Sequence, residues 1–243
     1  MKKICTIYNR LGPSYDRDHL SPNTSAEYAE QRRMEQISLF FKNFKNSKVL
    51  DVACGTGNYL IMAKNNDAAM VVGSDISESM IKCCLEKEVP YSLIGDYHSL
   101  PFKDDTFDCV LCIDSIHYSE DPIKVISELK RVSVANSIIL ISYFNALNFR
   151  KTNSILKLFS DTPASLEHRY FPGQIENICK SLGLDLIYTS GINLLPFRVN
   201  SKERNKDLLN IFKIIEKKIC KTKLNVFLNE MFIVAKNKTI CDN

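Results

Sequence analysis

The sequence has no apolar run approaching the roughly 20 residues that cross a bilayer. It also lacks a secretory h-region, because the basic start Met1-Lys2-Lys3 runs quickly into polar Tyr8-Asn9-Arg10. The chain is therefore expected to be cytoplasmic. Histidine is scarce: there are four, none at ligand spacing from a cysteine, so no metal is expected. Internal repeats and low-complexity segments are absent too. Cysteine is the exception, with nine residues expected as free thiols in a reducing compartment. The one suggestive spacing, Cys109-Val110-Leu111-Cys112, reads as a buried strand. Strand residues three apart point to opposite faces, which argues against a redox pair or zinc site.

What is present is an average globular composition, 45% apolar and 25% charged over 243 residues. That length suits one well-buried core. The net charge of +4 is local, most of the basic excess lying between Arg198 and Lys223. Short apolar runs alternate with helical patterns from 47 to 142. Strands are expected at 48–52, 69–75, 91–95, 107–113 and 137–142, then at 184–190 and 230–235. Helices are expected at 26–44, 58–64, from Ser77 onward, at 121–131, 172–182 and 204–220. Continuous apolar strands separated by helices indicate an α/β, Rossmann-like, mostly parallel sheet covered on both faces. The organisation reads as a single domain over 1–243. Residues 1–46 carry N-terminal helices, 47–142 a nucleotide-binding core, and 143–243 the remaining strands, with a basic helical insertion near 200–222.

Chemistry concentrates at three strand ends. Asp51-Val52-Ala53-Cys54-Gly55-Thr56-Gly57 closes the first strand and opens a helix. Glycines there let the backbone approach a ligand, and the helix N-terminus favours negative charge. Asp75 ends the second strand about twenty residues later, where a carboxylate accepts both hydroxyls of a ribose. Ser77 is the better N-cap for the helix that follows. Asp96 and Tyr97 follow the third strand, suited to an adenine amine and to stacking. A dinucleotide fingerprint is not met, since Asn58-Tyr59-Leu60 follows the last glycine.

This pattern resembles the class I S-adenosylmethionine (SAM)-dependent methyltransferases, and most of all the small-molecule enzymes of the ubiquinone/menaquinone-biosynthesis type. The likeness rests on 50–57, 75, 95–96, 100–102 and 104–108. It is strong over about Val49 to Ser142 and general in the flanks. It implies a seven-stranded sheet with the last strand antiparallel, with SAM as donor and S-adenosylhomocysteine as product. By the same resemblance Asp51, Ala53, Cys54, Gly55 and Gly57 surround the methionine portion and ribose. Asp75 holds the ribose, Ile76 and Met80 lie against adenine, and Asp96 and Tyr97 meet its edge. The backbone at Cys112 and Ile113 lines the donor's amino group, and His117 sits at the pocket mouth. Ala53 stands where glycine is commoner, and Val132-Ser133-Val134-Ala135-Asn136-Ser137 replaces a Pro-Gly-Gly turn.

Methyl transfer needs alignment and exclusion of water, with a base only where the acceptor loses a proton. His117 reads either as that base or as a hydrogen-bonding wall residue. Tyr8 and Tyr15 are either parts of a lid over the donor or surface anchors. His168 either shapes the acceptor pocket or is a solvated loop residue. The basic 204–220 helix is expected to place Leu208, Phe212, Ile215 and Ile219 on one face. It either closes the acceptor pocket or touches an anionic membrane; nucleic acid is disfavoured because the charge is local. The reading is thus a methyltransferase acting on a small-molecule oxygen, nitrogen or carbon nucleophile. A non-catalytic SAM-binding protein is the alternative, and the oligomeric state is not encoded legibly.

Overall fold

The computed structural model describes residues 2–89, 91–147, 166–194, 206–220 and 222–238. Seven strands form one sheet: β1 Lys48–Val52, β2 Met70–Asp75, β3 Ser92–Ile94, β4 Phe107–Cys112, β5 Ser133–Phe144, β6 Leu184–Ile192 and β7 Glu230–Asn237. Their order is β3-β2-β1-β4-β5-β7-β6. Pairs among β1 to β5 are parallel, and β7 runs antiparallel between β5 and β6. This is the Rossmann-like sheet expected from the strand pattern, with the antiparallel last strand that the family resemblance implies.

The strands are apolar throughout because alternate residues feed two different cores. Leu50, Val52, Val110, Cys112, Ile139 and Ile141 face one side, packed with helices α6 (Pro122–Val132) and α7 (Gln174–Ser181). Val49, Cys109, Leu111, Ile113, Ile138 and Leu140 face the other. There they meet α3 (Ser25–Ser38), α4 (Asn58–Lys64) and α5 (Glu78–Glu86). Cys109 and Cys112 therefore lie in separate cores, and every described cysteine is a free thiol.

Helix starts follow side-chain caps. Thr24 accepts from the Glu27 amide and Ser77 from that of Met80, while Asp121 accepts from that of Lys124 ahead of Pro122. The helix expected to reach Phe44 stops at Ser38. A 3-10 turn at Phe41–Asn43 then carries Phe44 into the core, fully buried. β5 starts at Ser133, not Ser137. Phe107 pairs with Ser133 but Cys109 with Ile138, so Val134 to Ser137 form a bulge. Asn136 supplies its left-handed residue at φ 66°. Asn237 Nδ2 donates to the Ser133 carbonyl at 3.0 Å and helps hold that bulge.

Two short helices, α1 (Lys2–Leu11) and α2 (Tyr15–His19), precede α3. Helix α8 (Lys206–Ile219) is rotated from its expected phase. Leu209 and Glu216 are buried and Ile215 is exposed with Ile211 and Ile214. The cause is polar: Glu216 accepts from Arg32 Nε at 2.6 Å, from the Asn193 and Leu194 amides at 2.9 Å, and from Tyr28. A buried carboxylate must find such partners, and this requirement outweighs the isoleucines. Leu208 and the 195–205 stretch fall outside what is described. No described helix is long and apolar enough to cross a membrane.

Candidate functional site

The carboxyl ends of β1 to β4 open into a cleft of about 800 Å³, its solvent-open mouth included. In open α/β sheets ligands bind at this edge, where strand order reverses. The order reverses here between β1 and β4, which lie side by side with β2 and β5 outside them.

The β1–α4 turn forms one wall. Ala53, Gly55 and Gly57 all have left-handed backbone, at φ 58°, 53° and 81°. A Cβ added to Gly55 meets nothing within 4 Å, so a ligand has free approach to that backbone. A Cβ on Gly57 would come to 2.5 Å of Cys84 Sγ, so this glycine serves close packing against α5. Asp75 ties the turn to β2: its Oδ2 accepts from the Gly55 amide at 2.9 Å and its Oδ1 from the Ser77 amide at 2.8 Å. Burial pushes the Asp75 carboxyl up, opposed by those backbone hydrogen bonds.

Among the residues expected at the site, the structure brings Tyr15, Ala53, Cys54, Gly55, Asp75, Ile76, Met80, Tyr97 and Ile113 together around this cleft. Asp51, Gly57, Asp96, Cys112 and His117 do not line it. Asp51 lies beneath the turn, 1% exposed, its Oδ2 lacking a hydrogen-bond partner. Burial drives its carboxyl well up. Asp96 turns outward and accepts from the His98 amide at 2.9 Å. The Cys112 thiol faces Ser115 Oγ at 3.1 Å.

His117 is misplaced by the sequence reading. It is fully buried, stacked on Phe144 at 3.8 Å between centroids, with neither ring nitrogen hydrogen-bonded. Desolvation holds its pKa well below the usual imidazole value. The 3-10 turn Ile116–Tyr118 points Tyr118 into the cleft in its place. His168 is held by its amide, which donates to the His117 carbonyl at 2.6 Å, and it does not line the cleft.

The N-terminal segment closes over the site. Tyr8 Oη donates to Tyr118 Oη at 2.9 Å, and Asn9 Oδ1 accepts from Ser77 Oγ at 2.7 Å. Asp16 Oδ1 accepts from Thr56 Oγ1 at 2.6 Å and Asn58 Nδ2 at 3.2 Å, and Asp16 also pairs with Lys87. Burial alone would raise the Asp16 carboxyl, but these partners bring it below its ordinary value.

The wall also holds residues with no site role expected beforehand, among them Ile4, Glu30, Tyr59 and Asp114. Asp114 follows β4 at φ 54°, and its amide donates to Ser142 Oγ at 2.8 Å. Its Oδ2 pairs with Arg33 Nη2 at 2.9 Å, while its buried Oδ1 has no hydrogen-bond partner. Desolvation outweighs Arg33 and pushes this carboxyl up to about 8. Its place at a parallel strand's carboxyl end was the available signal.

Sheet order, glycine turn and acidic strand end are together those of the class I SAM-dependent methyltransferases. Residues 50–141 match the family described as a methyltransferase domain, whose donor is SAM. An uncharacterized protein of Methanocaldococcus jannaschii is 25% identical over 91% of this chain and 93% of its own length. The demethylmenaquinone methyltransferase of Listeria monocytogenes is 31% identical over 54% of this chain. That match spans 57% of the Listeria enzyme, little more than half its length. The solved SAM-dependent methyltransferase of Thermotoga maritima superposes with a TM-score of 0.69 at 15% identity, over 96% of this chain and 99% of its own. At that identity it is a likeness of fold.

Proposed function

We propose that the chain transfers a methyl group from SAM to a small-molecule acceptor held beneath the N-terminal segment. The observation that carries this reading is the convergence on one cleft of the Ala53–Gly55 turn, Asp75, the apolar pair Ile76 and Met80, and Tyr97. Each suits a part of the donor. Asp75, already oriented by two backbone amides, retains lone pairs for ribose hydroxyls. Ile76 and Met80 offer an apolar face to adenine, and the open backbone at Gly55 accommodates the ribose and methionine chain. Bound SAM supplies an electrophilic methyl carbon. The chain's residues align the acceptor with it and exclude water through the clasp of Tyr8, Asn9 and Asp16.

Calorimetric titration with SAM and S-adenosylhomocysteine tests this directly. Both should bind saturably. Asp75→Ala, checked for folding by thermal melting, should weaken them roughly 10–100-fold, as losing hydrogen bonds to a charged group of 1.5–3 kcal/mol implies. Well-folded wild-type protein that binds neither would overturn the reading.

A further inference from the structure

We propose that the outward face of helix α8 is a docking surface for an anionic lipid bilayer. The proposal concerns a surface outside the cleft and is independent of the methyltransferase reading.

The burial of Glu216 sets the orientation of the helix. Its bonds with Arg32, Tyr28 and the Asn193 and Leu194 amides fix which side of α8 faces inward. Leu209 packs with Tyr28 of α3 on that side, and Phe212 packs against them. Lys213 is held inward as well, donating to Gln31 of α3. The opposite side is left apolar. Ile214 and Ile215 lie three and four residues beyond Ile211, which places all three on one face of the helix. They are 53%, 59% and 40% exposed for Ile211, Ile214 and Ile215. Apolar residues scattered singly over a surface need no explanation, but three adjacent isoleucines form a ridge that calls for a partner.

The charges beside the ridge select that partner. Lys218 lies four residues beyond Ile214 and three beyond Ile215, on the same face, with Lys217 at its flank. Both lysines are exposed, as is Lys223 in the 3-10 turn Lys223–Phe227 that follows. Asp207, one turn before Ile211, is the one exposed acid of α8. In the sequence, residues 198–223 hold nine basic residues against three acidic ones, and one of those acids is the buried Glu216. The whole chain carries only +4, so everything outside that stretch is net acidic and the positive field is concentrated here.

An apolar ridge bordered by lysines matches a bilayer interface. The isoleucines enter the acyl boundary while the ammonium groups stay among anionic headgroups. Other occupants fit less well. A second copy of the same face would bring like-charged lysines together. Single-stranded nucleic acid binds on aromatic faces that stack its bases, and isoleucine offers none.

Vesicle flotation tests this with the full chain. The vesicles are three parts phosphatidylcholine to one part phosphatidylglycerol, with pure phosphatidylcholine as the control. The anionic vesicles should carry the protein, and the neutral ones should carry at least tenfold less. Raising sodium chloride to about 0.5 M should weaken the partition at least tenfold. Lys217→Gln combined with Lys218→Gln should weaken it about thirtyfold, the effect of two lysines on an anionic surface. Ile211→Ser combined with Ile214→Ser should weaken it at least tenfold and leave the thermal midpoint within about 2 °C, because both residues are exposed. Partition that is absent from anionic vesicles, equal on neutral ones, or retained by either variant overturns the inference. An isoleucine variant that melts far below wild type overturns it too, because the ridge is then packed within the chain. Self-association lost with the same isoleucines, or capture of single-stranded RNA, in place of vesicle binding would assign the face to those partners and overturn the lipid reading.

Discussion

Ala53 occupies a left-handed backbone conformation at φ 58°, which costs an L-residue with a Cβ about 1–2 kcal/mol. Glycine there gives back about 0.4–1 kcal/mol through greater freedom of the unfolded chain. Ala53→Gly should therefore stabilise the protein by about 0.5–1 kcal/mol, read as a raised urea midpoint at unchanged slope. Gly57→Ala should do the opposite and weaken SAM binding as well, because its methyl collides with Cys84 Sγ. His117→Phe loses no hydrogen bond and relieves two unpartnered buried nitrogens, so stability should be kept or raised by about 1 kcal/mol. Methyl transfer by that variant should stay within threefold of wild type. A hundredfold loss would restore His117 to the chemistry. The glycine turn and Asp75 were legible because strand, turn and acidic strand end are local patterns. Asp114 and Glu30 were not, because their meaning depends on Arg33, and Arg33 acquires its role only when α3 meets β7.

At the scale of elements, the first two helices act as a clasp on the glycine turn. Asp16 joins Thr56, Asn58 and Lys87, all on the opposite side of the cleft mouth. Asp16→Ala should accelerate SAM release about tenfold, as loss of about 1.4 kcal/mol of charge-assisted hydrogen bonding implies, measured by stopped-flow displacement. The sign of its pH dependence follows from a carboxyl lowered in the folded state. The clasp is intact above the unfolded carboxylate pKa of about 3.9 and is lost as pH falls through the lower folded value. Most strands were legible from continuous apolar runs, but ends were displaced wherever a tertiary partner decided them. β5 gained its bulge from Asn136 and Asn237, and α8 turned to bury Glu216 where the isoleucine pattern pointed elsewhere. Periodicity counts apolar residues and is blind to one buried carboxylate with four donors.

Across the whole molecule, two buried ion pairs tie the N-terminal helix α3 to the last third of the chain. Arg33 joins Glu230 at the start of β7, and Arg32 joins Glu216 of α8. Removing one partner leaves buried charge uncompensated, so Arg33→Met should cost about 3–5 kcal/mol in urea unfolding. Adding Glu230→Met should recover part of that loss, with a coupling of about 1–3 kcal/mol across the cycle. A strictly additive pair would mean the bridge holds nothing.

The same β7 has a consequence for synthesis. It lies between β5 and β6, with Ile138 opposite Lys236 and Leu184 opposite Asn237. β6 leaves the ribosome before β7, yet it has no neighbour in the sheet until β7 arrives. The nascent chain must therefore carry β5 as an open apolar edge, Ile139 and Ile141 included, while some ninety residues of β6, α8 and linkers emerge, roughly five to twenty seconds at usual translation speeds. A polypeptide stalled before Glu230 is accordingly a natural client for chaperones, and one released after Asn237 is not.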